Sequence, residues 1–313
     1  MLEPTWIPAF ACPECGSTLV AASMAGPSTG PLRCRSCQIE IGCRAGILRF
    51  LSDPQLVEIE PFIAQYRRVR AQDGSRQRAA AYYRKLPKVA RGDPQHAIWR
   101  VRQESFRHLC RRVLTRLGRR PLRVLDLGAG NGWLSNCLTL LGNICVAVDW
   151  LDDPDDGLGA AHHYPTSFTR VQADFDHLPT VARQFDAVIF NASLHYSANP
   201  TATLRSASQA LVDGGALIVM DSPVFVSDAD GQRMLAERQQ GFADRIGSRP
   251  VEWGTGYLTV DSLAQTATDA GVMLQRIPSR GGPGWAFKRW LAGRKLRRQP
   301  ASFGIWSFGG RAT

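Results

Sequence analysis

The sequence has 313 residues and a mass of 34.4 kDa, of which 44% are hydrophobic and 21% are charged. This composition excludes global disorder and a collagen-like chain, and the length predicts one large domain with an appendage, or two domains. No run of 18 apolar residues occurs and the N-terminus lacks the basic and apolar regions of a signal peptide, so we expect a cytoplasmic protein without a transmembrane helix.

The net charge of +11 is unevenly distributed along the chain. Residues 61–125 carry +15 and residues 270–313 carry +9, whereas residues 126–269 carry −11. Basic flanks of this kind could attract RNA, acidic lipid headgroups or phosphorylated substrates. Basic helices that simply pack beside an acidic domain would give the same pattern, so the charge leaves these alternatives open.

The first predicted unit, residues 1–53, contains a metal-binding pattern. Two Cys-x2-Cys pairs are separated by 18 residues, which is the spacing of zinc sites. Four thiolates fill a tetrahedral shell and leave no position for a substrate, so the Zn²⁺ ion is expected to be structural. About 50 residues build little core, and the metal would supply folding energy. The predicted ligands are Cys12, Cys15, Cys34 and Cys37.

Residues 10–52 resemble the small zinc ribbons that accompany methyltransferases. The matching segments are CPECGSTL, LRCRSC and the closing IEIGCRAGILRFL. The resemblance implies a zinc ribbon packed beside a methyltransferase, and it says little about the substrate.

Residues 54–120 are predicted to be mostly helical, with a break at Leu86-Pro87. The helical patterns are EPFIAQYRRVRAQ and HAIWRVRQESFRHLCRRVLTRL. We expect this segment to act as a cap or linker ahead of the next domain.

Residues 121–313 alternate between strand and helix patterns, with an insertion at 222–260. This alternation predicts the α/β class, with a doubly wound and mostly parallel sheet. The closing SFGIWSF predicts a last, antiparallel strand, and KRWLAGRKLRR before it is a candidate basic amphipathic helix. Apolar strand-like runs occur at 122–127, 144–149, 169–174, 185–190 and 215–221.

In such a sheet the ligand lies outside the carboxyl ends of the strands. The first strand ends at Asp126, before the glycine-rich loop 128–132, and the second ends at Asp149. A dinucleotide-binding fingerprint needs a third small residue at the position that Trp133 occupies, so the loop does not fit that class. No Gly-Lys-Ser/Thr follows the glycines, which excludes a P-loop.

The Asp-x-Gly-x-Gly-x-Gly pattern and the later strand ends resemble class I S-adenosylmethionine (SAM) methyltransferases over about residues 100–277. The resemblance implies a Rossmann-like, seven-stranded sheet, a glycine loop beside the methionine part of SAM, and a ribose held by Asp149. Asp174 and Phe175 would meet the adenine. Asp126, Asp149 and Asp174 could each instead cap a helix or accept a hydrogen bond within a loop. The predicted SAM-binding residues are Asp126, Gly128, Ala129, Gly130, Asp149, Trp150, Asp174, Phe175, Asn191 and Ala192.

Methyl transfer from a sulfonium is a direct displacement, which needs a base only if the nucleophile carries a proton of high pKa. His195, four residues after Asn191, is the candidate base at the mouth of the site; alternatively, it is a histidine at a helix start.

The segment NASLHYSANP is typical of methyltransferases that act on small molecules. We therefore predict an enzyme that transfers methyl from SAM to a small-molecule or lipid-linked metabolite, at an O, N or C atom. One alternative is a methyltransferase of ribosomal or transfer RNA bases, which would bind RNA through the basic flanks. Another is a non-catalytic, partner-binding module with this fold.

Overall fold

The computed structural model describes residues 6–22, 30–74, 76, 78–118, 121–270, 272–277 and 283–311. No helix among these residues is both long enough and apolar enough to cross a membrane. The strands are β1 (Leu19–Ala21), β2 (Leu32–Cys34), β3 (Glu40–Ile41), β4 (Cys43–Arg44), β5 (Ile47–Arg49), β6 (Arg123–Leu127), β7 (Ile144–Asp149), β8 (Thr169–Gln172), β9 (Phe185–Asn191), β10 (Leu211–Met220), β11 (Val224–Phe225), β12 (Leu258–Thr259), β13 (Val272–Ile277) and β14 (Ile305–Arg311).

Helices lie before the central strands and between them. The α-helices are α1 (Asp53–Gln72), α2 (Ala80–Lys85), α3 (His96–His108), α4 (Trp133–Leu140), α5 (Pro200–Gln209), α6 (Asp228–Ile246), α7 (Val260–Asp269) and α8 (Pro283–Leu296). Shorter helical turns span Leu109–Val113, Leu114–Leu117, Leu158–His163 and Leu194–Tyr196.

The central sheet has the strand order β13-β14-β10-β9-β6-β7-β8-β5-β4. The strands from β10 to β5 run parallel, and β14 is antiparallel to both of its neighbours. In β9 the first six of the seven residues are buried, as expected for a parallel strand covered on both faces. The predicted α/β, doubly wound and mostly parallel sheet with a final antiparallel strand is therefore confirmed.

Two strands from the N-terminal segment extend the sheet beyond the seven that were expected. The hairpin β4–β5 adds to the edge at β8, where β5 pairs in parallel and Leu48 lies opposite Val171. Ile47 and Leu48 are buried. The separate three-stranded sheet β1-β2-β3 packs into the same hydrophobic core as Leu48 of β5, through its buried residues Leu19, Leu32 and Ile41. The cysteine-rich segment thus contributes both its own small sheet and part of the large one.

Helix α1 follows β5 after only three residues. Its start is fixed by a capping box, in which Ser52 and Gln55 satisfy each other's backbone N–H groups. Ile59 and Ile63 are buried on one face of the helix. These contacts lay α1 across the carboxyl ends of the central strands, where the candidate site lies.

Candidate functional site

A cavity lies at the carboxyl ends of the central strands, between the loops that follow β6, β7, β8 and β9 and the helices α1 and α3. Its residues are Phe62, Ile63, Tyr66, Arg70, Arg102, Gly128, Ala129, Gly130, Asn131, Trp133, Asp149, Trp150, Leu151, Asp156, Phe175, Asn191, Ala192, Ser193 and Tyr196. We call it the cofactor cavity.

The glycine loop after β6 is held against the neighbouring strand. The backbone N–H groups of Gly128 and Ala129 both donate to the carbonyl oxygen of Val148, at 2.9 and 3.0 Å. Gly128 has φ +72°, and a Cβ added there would lie 2.2 Å from the Cβ of Ser193. Only glycine fits this position, because a side chain would collide with the loop after β9.

Asp149, at the end of β7, lies in the cavity and holds the glycine loop. One carboxylate oxygen accepts from the N–H of Gly130 and the other from the N–H of Leu151, both at 2.8 Å. Burial raises the pKa of Asp149, and these backbone donors oppose that effect. Since a carboxylate oxygen can accept more than one hydrogen bond, Asp149 can still receive hydroxyl groups of a ligand.

Asp126 lies beneath the loop and does not line the cofactor cavity. Its side chain is fully buried and accepts a hydrogen bond from the hydroxyl of Ser135, on α4, at 2.7 Å. Burial raises the pKa of Asp126 to about 7. The resemblance implies two roles for Asp126, to orient the glycine loop or to meet the amino group of SAM, and this geometry fits the first.

The residues after β8 are divided between the cavity and the surface. Phe175 lines the cavity, and its ring is nearly parallel to that of Trp150, with centroids 5.9 Å apart. Asp174 does not line the cavity, since its carboxylate accepts from the N–H of Asp176 and lies 2.9 Å from Nδ1 of His177. Asp174 thus takes the loop-bond alternative in this structure.

Two buried polar atoms in the cavity have neither a hydrogen-bond partner nor an ion-pair partner among the described residues. They are Oδ1 of Asn191 and Nε1 of Trp150. Ala192 adopts φ +57° next to them, and its N–H donates to Met220 in β10 at 2.8 Å. Because an unsatisfied buried polar atom costs free energy, these atoms indicate a site that a polar ligand completes.

His195 is not one of the residues that line the cofactor cavity, and its role as the base stays a prediction. The short helical turn Leu194–Tyr196 leaves the imidazole only 8% exposed, with Nδ1 3.4 Å from the hydroxyl of Ser222. The next residue, Tyr196, lines the cavity instead. Burial, with the nearby cation of Arg238, lowers the pKa of His195 to about 3.

The residues with which α1 and α3 close the cavity were not predicted from the sequence. Arg102 lines it from α3; burial lowers the pKa of this guanidinium, and the carboxylate of Asp221 opposes the effect. Phe62 and Tyr66 line it from α1, and burial raises the pKa of Tyr66 to about 12. The prediction of a helical cap was the one signal in the sequence that pointed to them.

The second predicted site is a cluster of the four cysteines Cys12, Cys15, Cys34 and Cys37, whose sulfur atoms all lie within 4.8 Å of one another. The Cys12–Cys37 and Cys15–Cys34 sulfur distances are both 3.5 Å. Tetrahedral bonds of about 2.3 Å to one zinc ion require sulfur atoms about 3.8 Å apart. The cluster therefore fits a single tetrahedral ion.

A doubly wound sheet with a glycine loop after one central strand and an acid at the end of the next is the arrangement that the resemblance to methyltransferases predicted. The family described as "Methyltransferase domain" matches residues 98–274, which is more than half of the chain. The chain therefore belongs to this family. The cofactor cavity fits SAM, since it offers a glycine cradle, a carboxylate and unsatisfied polar atoms.

Among curated proteins, the chain is 34% identical over 130 residues to a ubiquinone biosynthesis O-methyltransferase of Xanthomonas axonopodis pv. citri (strain 306). The match covers 40% of this chain and 51% of that protein, so the chain spans about half the length of this relative.

Among solved structures, the plantazolicin methyltransferase BpumL in complex with SAH is 12% identical, with a TM-score of 0.46 over 79% of this chain and 99% of that chain. A SAM-dependent methyltransferase from Mesorhizobium loti is 17% identical, with a TM-score of 0.40 over 61% and 91% of the two chains.

Proposed function

We propose that this enzyme transfers the methyl group of SAM to a small organic molecule. The observation that carries the proposal is the cover that α1 forms over the cofactor cavity. Arg67 and Arg70 of α1 pair with Asp153 and Asp156 in the loop after β7, at 3.3 and 3.0 Å. A cover held at this loop leaves room for a small acceptor rather than for a folded macromolecule. The O-methyltransferase relative supports the same substrate class.

SAM, when bound, supplies an electrophilic methyl group, and the chain's own residues hold and orient the reactants. The loop Gly128–Gly130 would approach the methionine part, Asp149 would accept the ribose hydroxyls, and Trp150 and Phe175 would pack on the adenine. Arg102 would pair with the carboxylate of the methionine part of SAM, because Arg102 is a half-buried cation in the cavity wall. The adenine contact of Asp174 stays a prediction.

The reaction needs water excluded and the nucleophile aligned with the sulfonium. Phe62, Tyr66 and Tyr196 would exclude water on the side of the cavity opposite the glycine loop. No histidine is among the described residues that line the cofactor cavity, so we propose that the acceptor is methylated without a histidine base. An acceptor atom that is already nucleophilic at neutral pH meets this condition.

Titration calorimetry with SAM and S-adenosylhomocysteine (SAH) tests the cofactor site. We expect Asp149→Ala to weaken SAH binding at least tenfold, because the ribose loses its acceptor and the loop loses its anchor. The matched control, Asp213→Ala, removes an exposed carboxylate that does not line the cavity, and we expect a change of less than threefold. Absence of binding by the zinc-loaded, unmutated protein would overturn the proposal.

The substrate class is tested with radiolabelled SAM and two acceptor sets, small molecules and RNA transcripts. We expect label in the small-molecule set. Label in ribosomal or transfer RNA alone would support the RNA alternative and overturn the small-molecule proposal. Absence of turnover in both sets, with SAH bound, would support the non-catalytic alternative.

For the N-terminal segment, we propose a structural role. Residues 1–53 would form a zinc ribbon, residues 54–120 a helical cap, and residues 121–313 the SAM-binding domain with its insertion at 222–260. Four cysteine ligands complete the shell of the ion, so the site has no open position for a reaction. Metal analysis of the purified protein should give one zinc per chain, and Cys34→Ser should lower this content.

A further inference from the structure

Helix α8 lies in the connection between β13 and β14, and none of its residues lines the cofactor cavity. β13 ends at Ile277 and β14 begins at Ile305, and these two residues are paired in the sheet. Ile305 also lies opposite Met220, the last residue of β10. Because β10 is parallel to the central strands, the connection that contains α8 leaves the sheet at the carboxyl edge, where the cofactor cavity lies.

The segment after α8 is anchored to the insertion helix α6. The guanidinium of Arg298 donates to both carboxylate oxygens of Glu237, at 2.7–3.0 Å, and the Arg298 side chain is largely buried. The N–H of Gln299 donates to the carboxylate of Asp230 at 3.3 Å. These contacts hold the end of α8 against the folded protein.

One face of α8 exposes three large apolar side chains, which we call the apolar face. Phe287, Trp290 and Leu291 are 61%, 51% and 53% exposed. Trp290 and Leu291 follow Phe287 by three and four residues, so the three side chains are neighbours on the helix surface. The rings of Phe287 and Trp290 stack, with centroids 5.7 Å apart. A contiguous group of exposed apolar side chains marks a surface for interaction.

Cations adjoin the apolar face. The guanidinium of Arg294, one turn further along, lies 4.2 Å from the centre of the Trp290 ring, and Lys295 is the next residue. Both residues are exposed, and neither makes an ion pair with any residue that the structure describes. Residues 270–313 contain nine Lys and Arg residues and no Asp or Glu. The charge of this surface is therefore complementary to that of an anionic partner.

We propose that α8 docks the protein on the surface of an anionic lipid bilayer. The apolar face enters the boundary between headgroups and acyl chains, and Arg294 and Lys295 pair with lipid phosphates. Helices that lie in this boundary bind through the sum of apolar burial and attraction to anionic lipid. This inference does not depend on the proposed function, and docking would bring the carboxyl edge of the sheet close to acceptors that partition into lipid.

The chemistry of the apolar face favours a bilayer over RNA. Both partners carry phosphates that pair with Arg294 and Lys295, and RNA bases stack on aromatic rings. The aliphatic side chain of Leu291 has no stacking partner in RNA, whereas a bilayer buries it together with the rings of Phe287 and Trp290.

The test is co-sedimentation of the full-length, zinc-loaded protein with sucrose-loaded vesicles. One set contains phosphatidylcholine mixed with phosphatidylglycerol, and the reference set contains phosphatidylcholine alone. The unmutated protein should partition at least tenfold more strongly into the mixed set, and added salt should weaken this binding. Arg294→Gln combined with Lys295→Gln should weaken it at least tenfold, because each cation near an anionic surface contributes about fivefold.

Two further variants separate the apolar face from the general charge of the protein. Trp290→Ser removes the central ring and should weaken partitioning about tenfold. The matched charge control is Arg111→Gln combined with Arg112→Gln, which removes two exposed cations from the helical turn after α3 and should retain vesicle binding. All three should keep the thermal midpoint of the unmutated protein, since the substituted residues are exposed.

Each remaining outcome counts against the bilayer. Equal binding to the two vesicle sets, no binding to either, or binding that survives both the Trp290 and the Arg294–Lys295 substitutions would overturn the inference. A protein that ignores vesicles but binds transfer RNA, and loses that binding on substitution of Arg294 and Lys295, would assign the surface to RNA instead. Calorimetry with SAH on the same preparations tests the proposed function separately.

Discussion

Replacement of Gly128 by alanine tests the geometry of the glycine loop. The left-handed backbone at φ +72° costs a non-glycine residue about 1–2 kcal/mol. The new Cβ would also lie 2.2 Å from the Cβ of Ser193, and relief of such overpacking typically costs a further ~1–3 kcal/mol. We expect Gly128→Ala to lower the free energy of unfolding by about 2–5 kcal/mol and to weaken SAH binding, measured by urea unfolding and by calorimetry.

A matched control separates the two contributions. Gly142 has φ +81° and nothing within 4 Å of an added Cβ, so Gly142→Ala should cost only the left-handed strain and leave SAH binding unchanged. Ser193→Gly in the Gly128→Ala background removes the colliding Cβ, and should restore part of the lost stability despite the loss of the Ser193 hydrogen bond to Leu127. If Gly128→Ala and Gly142→Ala were equally destabilised, the close approach of the glycine loop to the loop after β9 would be refuted.

Four further predictions follow from the structure. Because burial raises the pKa of Asp126 to about 7 in the folded protein, that state binds more protons than the unfolded chain between about pH 4 and 7. Stability should fall as pH rises through this window, and urea unfolding should show a weaker fall in Asp126→Asn; an identical profile would contradict the burial argument. We expect His195→Asn to change kcat by less than about threefold. Because the pKa of His195 is lowered to about 3, the pH–rate profile should show no inflection from its titration near neutral pH. A tenfold loss of kcat would instead support His195 as the base. Arg102→Met should weaken SAH binding about tenfold in calorimetry, whereas Arg100→Met, on the exposed side of α3, should not. Removal of zinc by a chelator should lower the thermal midpoint, and Cys34→Ser should abolish this sensitivity.

The central fold was predictable because its signals are local and strong. Each buried parallel strand is a short apolar run, and the runs around Asp126 and Asp149 are separated by a helix. The cysteine cluster was predictable for the same reason, since the spacing of the two pairs is itself the signal.

The positions of individual side chains were less predictable, because they depend on distant contacts or on turn geometry. The pairing of β5 with β8 joins segments about 120 residues apart, and β5 has only three residues to signal it. His195 is close to Asn191 in sequence, but the helical turn Leu194–Tyr196 brings Tyr196 to the cavity instead. Arg102 could not be assigned from sequence, because its role requires the position of α3 over the sheet.

The attachment of β5 to the sheet has a consequence for shortened versions of the protein. Removal of residues 1–53 would delete the strand that covers β8 and leave its N–H and C=O groups unpaired at an open edge. Such an edge invites strand pairing between molecules, and α1 would lose the segment from which it starts. A fragment without residues 1–53 should therefore aggregate, so expression trials aimed at crystals should keep the N-terminal segment.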